Sequence, residues 1–576
     1  IAAGSKRVIA SFKQLMPEAE IKSVGCIGMC HLEVHAKIVD DQGKQFSWAN
    51  LTEKNIVDVV GFHQGIRPMP AELLIESADR PNGLKAEYLK KQTRIALRNI
   101  GKINPTSLAD YMHAGGYSAI TRTLKEYTSD RVIEEVKISG LRGRGGAGFP
   151  TAVKWGFAKS VQSAEKYMIC NGDEGDPGAF MDRSLLEGDP HNVLEGMMIA
   201  AYAFGANKGI AYIRAEYPLA VKHFQQAIDD ASKAGLLGKN ILGSNFSFTV
   251  KIKQGAGAFV CGEETALIAS VEGDRGMPKK RPPFPAISGV FNKPTIINNV
   301  ETLTNIPWII NNGGKAYAEV GTKTAAGTKV FALAGAIKRG GLCEIPMGMT
   351  IRQMLYDIGG GSKTEKPIKA VQMGGPSGGC VPAALFDTPI EYESINATGA
   401  IMGSGGMIVM DEGTCMVDLA KYFLEFTQVE SCGKCTFCRI GTIRIKELLT
   451  KICEGKGEMQ DLDLLSELCE RVKDASLCGL GQTAPNPVLT TLKYFKDEYI
   501  EHIVHKKCRA ATCKKLISHT IVNEKCIGCS LCKVACPVAA ITGTSKKGDT
   551  FFIDKSSCIN CGMCDDVCRD EAIFIA

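Results

Sequence analysis

The spacing of apolar positions changes several times along the chain, and each change marks a candidate boundary. From Ile1 to about Gly65, Val8, Phe12 and Leu15 predict a helix, and the runs Glu20–Val24 and Val34–Val39 predict strands. From 66 to about 130 come two proline-rich links and amphipathic patterns. Leu89, Ile95, Leu97 and Ile100 predict a helix over Tyr88–Ile100, and another is expected over Thr121–Ile133. Tyr167–Cys170 reads as a short apolar strand. Residues 326 to about 410 alternate short Val/Ala/Ile strands with many glycines, and Asp411 to about Tyr499 is helical in period. The longest apolar stretch, Val193–Ile213, carries Glu195, Asn207 and Lys208, so no membrane span is expected.

A chain of 576 residues exceeds what one core supports, so several domains are expected. With 45% hydrophobic and 23% charged residues the material is ordinary and globular, and a net charge of +6 gives no reason to expect nucleic acid. Twenty-three cysteines change the picture. Many stand in Cys-x2-Cys-x2-Cys runs, which are cluster spacings rather than a disulfide framework, and this predicts a reducing, cytoplasmic setting.

Gly140-Leu-Arg-Gly-Arg-Gly-Gly-Ala-Gly-Phe-Pro-Thr151 packs five glycines into nine residues. Amides in such a turn can point at an anion, and Arg142, Arg144 and Lys154 add positive charge, so Gly143, Arg144, Gly145, Gly146 and Lys154 are candidates for a phosphate-bearing cofactor. A mobile surface turn is the plain alternative, but Leu141, Phe149 and Trp155 frame the glycines. The pattern is neither a dinucleotide fingerprint nor a Walker loop. Asn171-Gly-Asp-Glu-Gly-Asp-Pro-Gly178 sets carboxylates between glycines at a strand end, where they cap a helix or approach a ligand. Gly255-Ala-Gly-Ala-Phe-Val-Cys-Gly262 is a second glycine turn. The following Glu263 and Glu264 suit ribose hydroxyls better than phosphate, with helix capping as the competitor for Glu263. None of these turns sets an acid or base where one is required, so no catalytic residue is assigned. Gly374–Gly379 lacks P-loop chemistry.

The cysteines sort by spacing. Cys432-x2-Cys435-x2-Cys438 with a remote Cys478 predicts a 4Fe-4S site, with tetrahedral zinc as runner-up. Cys526, Cys529, Cys532 and Cys536, repeated as Cys558, Cys561, Cys564 and Cys568, is bacterial ferredoxin spacing. There the fourth cysteine crosses over, giving two further 4Fe-4S clusters: Cys526, Cys529, Cys532 with Cys568, and Cys558, Cys561, Cys564 with Cys536. Cys508 and Cys513, with His502 upstream and Cys453 or Cys469, make either a structural zinc site or redox-silent thiols. Cys343, Cys380 and Cys415 look isolated and are expected to be buried or idle.

The glycine loop, the Asn171 and Gly255 turns and Ile297-Asn-Asn-Val-Glu-Thr302 together resemble the NADH-oxidising flavoprotein subunit of respiratory complex I. With the terminal two-cluster module, the chain resembles the NADH-binding β subunit of multimeric, often electron-bifurcating, iron-only hydrogenases. The resemblance implies FMN and NAD(H) as cofactors. It places Asn171, Asp173, Glu174, Asn298 and Asn299 at the flavin and Asp176 by the nicotinamide. Arg281 would lie at the dinucleotide, and Phe149, Phe157, Phe259 and Phe284 would stack on it, with Gly262 in the same turn. Glu264 would disfavour the 2′-phosphate of NADP. Gly25-Cys26-Ile-Gly-Met-Cys30 resembles half of a thioredoxin-like 2Fe-2S site whose other pair precedes Ile1-Ala-Ala-Gly4; idle buried cysteines are the alternative.

The implied fold is multidomain α/β: a thioredoxin-like remnant (1–75), a Rossmann-like FMN/NADH domain (76–325), a β-grasp domain (326–410), a helical bundle with a 4Fe-4S cluster (411–500), a zinc connector (501–516) and a two-cluster ferredoxin-like domain (517–576). The implied partners are a hydrogenase catalytic subunit, a small 2Fe-2S thioredoxin-like subunit and ferredoxin, in a hetero-oligomer. A formate dehydrogenase complex is the nearest rival, and a non-catalytic electron wire is the rival of another class.

Overall fold

The computed structural model describes residues 3–77, 84–544 and 551–575; the start of the Ile1–Gly4 segment lies outside them. The chain forms two compact units. The first comprises Ile1–Glu365, Val371–Gly375 and Ala383–Val409, and the second Lys366–Ala370, Pro376–Pro382 and Met410–Ala576.

In the first unit, strands β1 (Ala36–Val39), β2 (Gln45–Trp48) and β3 (Leu74–Ser77) make an antiparallel sheet in that order. With the helices Ser5–Leu15 and Ile56–His63 they enclose Val8, Trp48, Ile56 and Val59. Glu20–Val24, expected as a strand, is irregular.

Next comes a four-stranded, wholly parallel sheet: β4 (Tyr167–Gly172), β5 (Lys208–Arg214), β6 (Thr249–Gly255) and β7 (Thr295–Asn299). Its order is β6-β5-β4-β7, so the chain winds outward from β4 and then returns to the other side of it. That reversal opens a crevice beyond the carboxyl ends of β4 and β7, the usual ligand position in open α/β sheets. The apolar run after Val193 is the buried helix Pro190–Phe204, and its charge is met there: Glu195 accepts from Tyr111 Oη (2.6 Å) and from the amides of Tyr117 (2.9 Å) and Ile120 (3.0 Å).

Two helical expectations are corrected. The helix at Tyr88 spans only Leu84–Leu89, because the carboxylate of buried Glu344 draws in the amides of Ile95, Ala96 and Leu97 at 2.9, 2.8 and 2.8 Å. Three amides aimed at one carboxylate cannot also serve a helical ladder. The Thr121–Ile133 pattern is split between helices Ser118–Glu126 and Ser129–Ile138, the second capped by Thr128, whose hydroxyl accepts from the Arg131 amide.

Later in the same unit, β8 (Thr328–Gly335) and β9 (Gly341–Pro346) pair antiparallel, and Gly406–Val409 runs parallel to Ala332–Gly335. In the second unit the helices Met416–Val429, Thr442–Cys453, Gln460–Ala475 and Asn486–Tyr494 pack around Leu424, Ile445, Leu449, Leu465 and Tyr499. The terminal segment pairs His519–Ile521 with Ile573–Ile575 and Ile541–Thr542 with Phe552–Ile553, so the sequence repeat is also a structural one. Among the described residues no helix is long and apolar enough to cross a membrane.

Candidate flavin and iron-sulfur sites

Three backbone bends meet at the crevice of the parallel sheet. The glycine loop closes on itself, with the Gly143 amide donating to Phe149 O (2.9 Å) and Thr151 to Leu141 O (3.0 Å). At Gly146 φ is +134°, a conformation that suits only glycine. The loop is bound to the segment after β7: the Arg144 amide donates to Thr302 Oγ1 (2.8 Å), and a Cβ at Gly145 would lie 2.9 Å from that of Asn299. Trp155 Nε1 donates to Asn298 Oδ1 (2.9 Å). At the end of β4, Asn171 donates to Gly262 O (3.1 Å) and accepts from the Asp173 amide (3.0 Å), which joins the Asn171 turn to the Gly255 turn. Lys154 Nζ reaches Glu264 (3.0 Å) and Ile297 O (3.1 Å), so helix Thr151–Ser160, the Gly255 turn and β7 share one cation.

The candidate side chains divide by what they do in this structure. Arg144 corrects an expectation. Its guanidinium is buried and donates to Thr328 O (2.9 Å), Ala326 O (2.6 Å), Arg142 O (3.1 Å) and Tyr317 Oη (3.1 Å), so its charge braces the loop from behind rather than lying open to a phosphate. Arg142 likewise serves Gly148 O (2.6 Å) and Glu393 (2.8 Å). Glu263 is the N-cap of helix Glu264–Glu272, accepting from the amides of Thr265 and Ala266 at 2.9 Å each. Glu174 accepts from the amides of Asp182 (3.1 Å) and Arg183 (3.0 Å) at the start of helix Met181–Gly188. Burial pushes its carboxyl up against those bonds, and the charge of Asp176 adds to the rise. Asn299 caps helix Val300–Asn312 and donates to Asp182 (2.6 Å).

The groups left at the surface suit a dinucleotide. Phe149, Phe157 and Phe284 keep 49%, 53% and 52% of their surface exposed, which leaves ring area open to stacking, although the Arg281 guanidinium already lies 5.7 Å from the Phe284 ring centre; Phe259 is half-buried. Glu264 lies between Lys154 and Arg281 (2.9 Å); burial opposes its ionisation, but the two cations together hold its carboxyl below the usual range. Two cations around one carboxylate leave a local surplus of positive charge, and its natural complement is a phosphate.

Sequence reasoning missed several members. Arg214, at the end of β5, has Nη1 buried without a hydrogen-bond partner, beside Gly175. Lys329 is fully buried in β8, where its ammonium binds Glu301 (3.1 Å), Arg144 O (2.9 Å) and Ser404 O (2.7 Å). A lysine inside the apolar run of β8 was the available signal.

In the second unit, the thiols of Cys435, Cys478 and Cys432 lie close enough to Cys438 to reinforce the effect of burial, and its thiol is pushed up to about 11. A Cβ at Gly481 would sit 3.0 Å from that of Cys438, which shows how closely the remote turn approaches. Cys526, Cys529, Cys532 and Cys568 line one cavity with Ile521, Phe551 and Ile573, a set that crosses between the two sequence motifs. Cys558 and Cys561 sit beside Cys564, and Cys536 packs into the same small core. Four thiolates around an apolar hollow fit the donor set of a 4Fe-4S cluster.

The zinc expectation is corrected in one member. His502, Cys508 and Cys513 come together with Cys415, not Cys453, with their ligand atoms mutually within 4.8 Å. Cys415 Sγ lies 3.4 Å from His502 Nε2 and 3.9 Å from Cys513 Sγ. Cys415 is buried, as expected, but not isolated; it joins from 87 residues away, which local spacing could not show. His502 Nδ1 contacts Glu498 O (2.7 Å), and Glu498 accepts from the Met416 amide (3.0 Å), so one residue steadies both arms. Cys453 groups instead with Asp418 and Cys513. In the first unit, Cys26 and Cys30 sit with Glu33 in one group of candidate ligands.

Residues 136–308 match the Nuo51 FMN-binding domain, 418–502 the NADH-ubiquinone oxidoreductase-F iron-sulfur binding region, and 525–572 a 4Fe-4S dicluster domain. The crevice and the thiol clusters thus belong to an iron-sulfur flavoprotein of the oxidoreductase class. The chain belongs to the family of NADH-quinone oxidoreductase F subunits and their hydrogenase counterparts. It is 57% identical over 458 residues to the NADP-reducing hydrogenase subunit HndC of Solidesulfovibrio fructosivorans, covering 80% of this chain and 93% of that one. It is 43% identical over 414 residues to the second NADH-quinone oxidoreductase F subunit of Rhizobium meliloti, covering 72% and 98%. A crystal structure of an NAD+-reducing [NiFe]-hydrogenase in the H2-reduced state superposes with a TM-score of 0.62 at 30% identity, over 87% of this chain and 82% of that one.

Proposed function

We propose that the chain exchanges hydride between NAD(H) and FMN and passes electrons singly into its iron-sulfur centres, as the diaphorase subunit of a hydrogenase complex. The observation that carries this reading is the meeting of the Gly143–Gly148, Asn171–Gly178 and Gly255–Gly262 bends at the reversal point of the parallel sheet. FMN, when bound, accepts a hydride and gives up electrons one at a time. The chain's own part is positional. Lys154 and Arg281 supply positive charge for phosphate, and Phe149, Phe157, Phe259 and Phe284 offer stacking faces. Asn171, Asp173, Asn298 and Asn299 bring polar groups to the crevice, and Asp176 lies ready for the nicotinamide.

Cys432, Cys435, Cys438 and Cys478 hold the 4Fe-4S cluster nearest in role to the flavin, and the terminal thiols hold two more. Cys26 and Cys30 contribute to a 2Fe-2S centre, and Cys415, His502, Cys508 and Cys513 hold zinc. The hydrogenase relative HndC supports a hetero-oligomer whose catalytic subunit handles hydrogen; a small 2Fe-2S subunit and ferredoxin complete the proposed set of partners, with electron bifurcation as the proposed coupling between NADH, ferredoxin and hydrogen. Thiols that stay reduced to hold such clusters suit a reducing, cytoplasmic setting. HndC is named for NADP, whereas Glu264 favours NAD; the clasp by Lys154 and Arg281 is where the two preferences compete. The full chain loaded with FMN should reduce methyl viologen with NADH, and absence of that activity beside intact clusters would reduce the protein to an electron wire.

A further inference from the structure

Asp176 stands in the turn after β4, yet the contacts that fix it come from the 326–409 segment. Ser404 Oγ donates to Asp176 Oδ2 at 2.6 Å. Against the other oxygen lies the backbone of Gly375, where a Cβ would come 2.3 Å from Oδ1. Gly375 has φ +74° and Gly403 has φ +58°, and a Cβ at Gly403 would lie 2.3 Å from Gly374 Cα, so the two turns are pressed together behind the carboxylate. Gln372 Nε2 donates to Gly375 O (2.9 Å), and the Gly374 amide donates to Gly406 O (3.2 Å). Ser404 is itself held: its carbonyl accepts from Lys329 Nζ (2.7 Å), the ammonium that also binds Arg144 O of the glycine loop.

We infer that Ser404, backed by Gly375, is a positioning residue for the NADH reaction, acting through Asp176, so that the Gly374–Gly375 and Gly403–Ser404 turns form one wall of the hydride-transfer site. The inference rests on the flavin and nicotinamide reading of the crevice. The physics is that of a carboxylate with one oxygen held by a short charge-assisted hydrogen bond and the other walled by backbone: it has one orientation available and keeps it without a further entropic cost when substrate arrives. The Lys329 clamp ties that orientation to the loop expected to carry the flavin.

The bond also sets the charge on Asp176. Burial raises its carboxyl to about 6, while the Ser404 hydroxyl and Arg214 oppose that rise. The charged groups facing it are Arg214 and Glu174, with Lys329 beyond the Ser404 carbonyl. Loss of the hydroxyl therefore moves the titration to higher pH.

The test uses the full chain loaded with FMN, with NADH as donor and methyl viologen as acceptor, measured from pH 5 to 8. Ser404→Ala should lower kcat/KM for NADH roughly tenfold and shift the acidic limb of the profile upward. Ser404→Thr, which keeps the hydroxyl, should recover most of the loss and restore the limb. FMN content and the cluster absorbance of the variants should match the parent chain. If Ser404→Ala leaves kcat/KM and the limb unchanged beside an active parent, the inference fails alone. A parent chain that binds FMN but is not reduced by NADH would overturn the underlying reading, and this inference with it.

Discussion

The flavin-type crevice and the cysteine centres are built on opposite plans. In the crevice nearly every polar side chain has an internal partner: Arg144 serves carbonyls, Glu174 and Glu263 cap helices, and Asn298 accepts from Trp155. The cysteine centres gather donors around apolar hollows, as in the cavity shared by Cys526, Cys529, Cys532 and Cys568. The first is a preformed frame that presents backbone and a few exposed groups, so its ligand meets a shape fixed in advance. The second is a set of thiols whose natural partner is a metal, so its order depends on that metal. Loss of one residue should thus remove a centre in the second region and loosen or detune a scaffold in the first.

The sharpest break is expected in the cysteine region. Cys435→Ala should abolish the helical-bundle cluster, with iron falling by about four atoms per chain and its paramagnetic signal absent, while the terminal clusters stay. Next, Cys415→Ala should remove bound zinc and lower the melting temperature, whereas Cys453→Ala should keep the metal; elemental analysis with calorimetry separates the two. The reverse pattern would return Cys453 to the ligand set.

The crevice should respond by degrees. Arg144→Ala leaves the Thr328 and Ala326 carbonyls without their donor, at a cost of about 1–3 kcal/mol for each buried acceptor left unsatisfied, read as a lower midpoint in denaturant. Glu264→Gln removes the charge that opposes a 2′-phosphate and should raise kcat/KM for NADPH relative to NADH roughly tenfold. The smallest effect is expected from Glu263→Ala, which loses a helix cap worth about 1 kcal/mol and should leave the NADH to NADPH ratio unaltered.

What could be read in the sequence follows from how far apart the partners lie. The ferredoxin spacing encodes its ligands locally, and the crossing of Cys568 to the first motif is legible because the repeat fixes the geometry. The four parallel strands were hinted at by Tyr167–Cys170 alone, since their order depends on long-range packing. Cys415 carries no local pattern, and its place beside His502 appears only once helix Met416–Val429 is folded against the segment around Glu498. The Tyr88–Ile100 pattern misled because its amides are claimed by Glu344, some 250 residues away in the chain. Arg144 looked like a phosphate ligand because charge in a glycine loop is the local signal, while the carbonyls that claim it sit in the later 326–328 stretch.

In the proposed function the crevice turns a two-electron donor into a source of single electrons for the thiol-bound clusters. Rapid anaerobic mixing of NADH with the FMN-loaded full chain, followed at once by flavin absorbance and by freeze-quenched electron paramagnetic resonance, tests it most directly. Flavin absorbance should be bleached first and reduced 4Fe-4S signals should then grow at the flavin's expense, with both lost on omission of FMN. Clusters that NADH reduces equally well without FMN, or a bleached flavin beside clusters that never change, would contradict it.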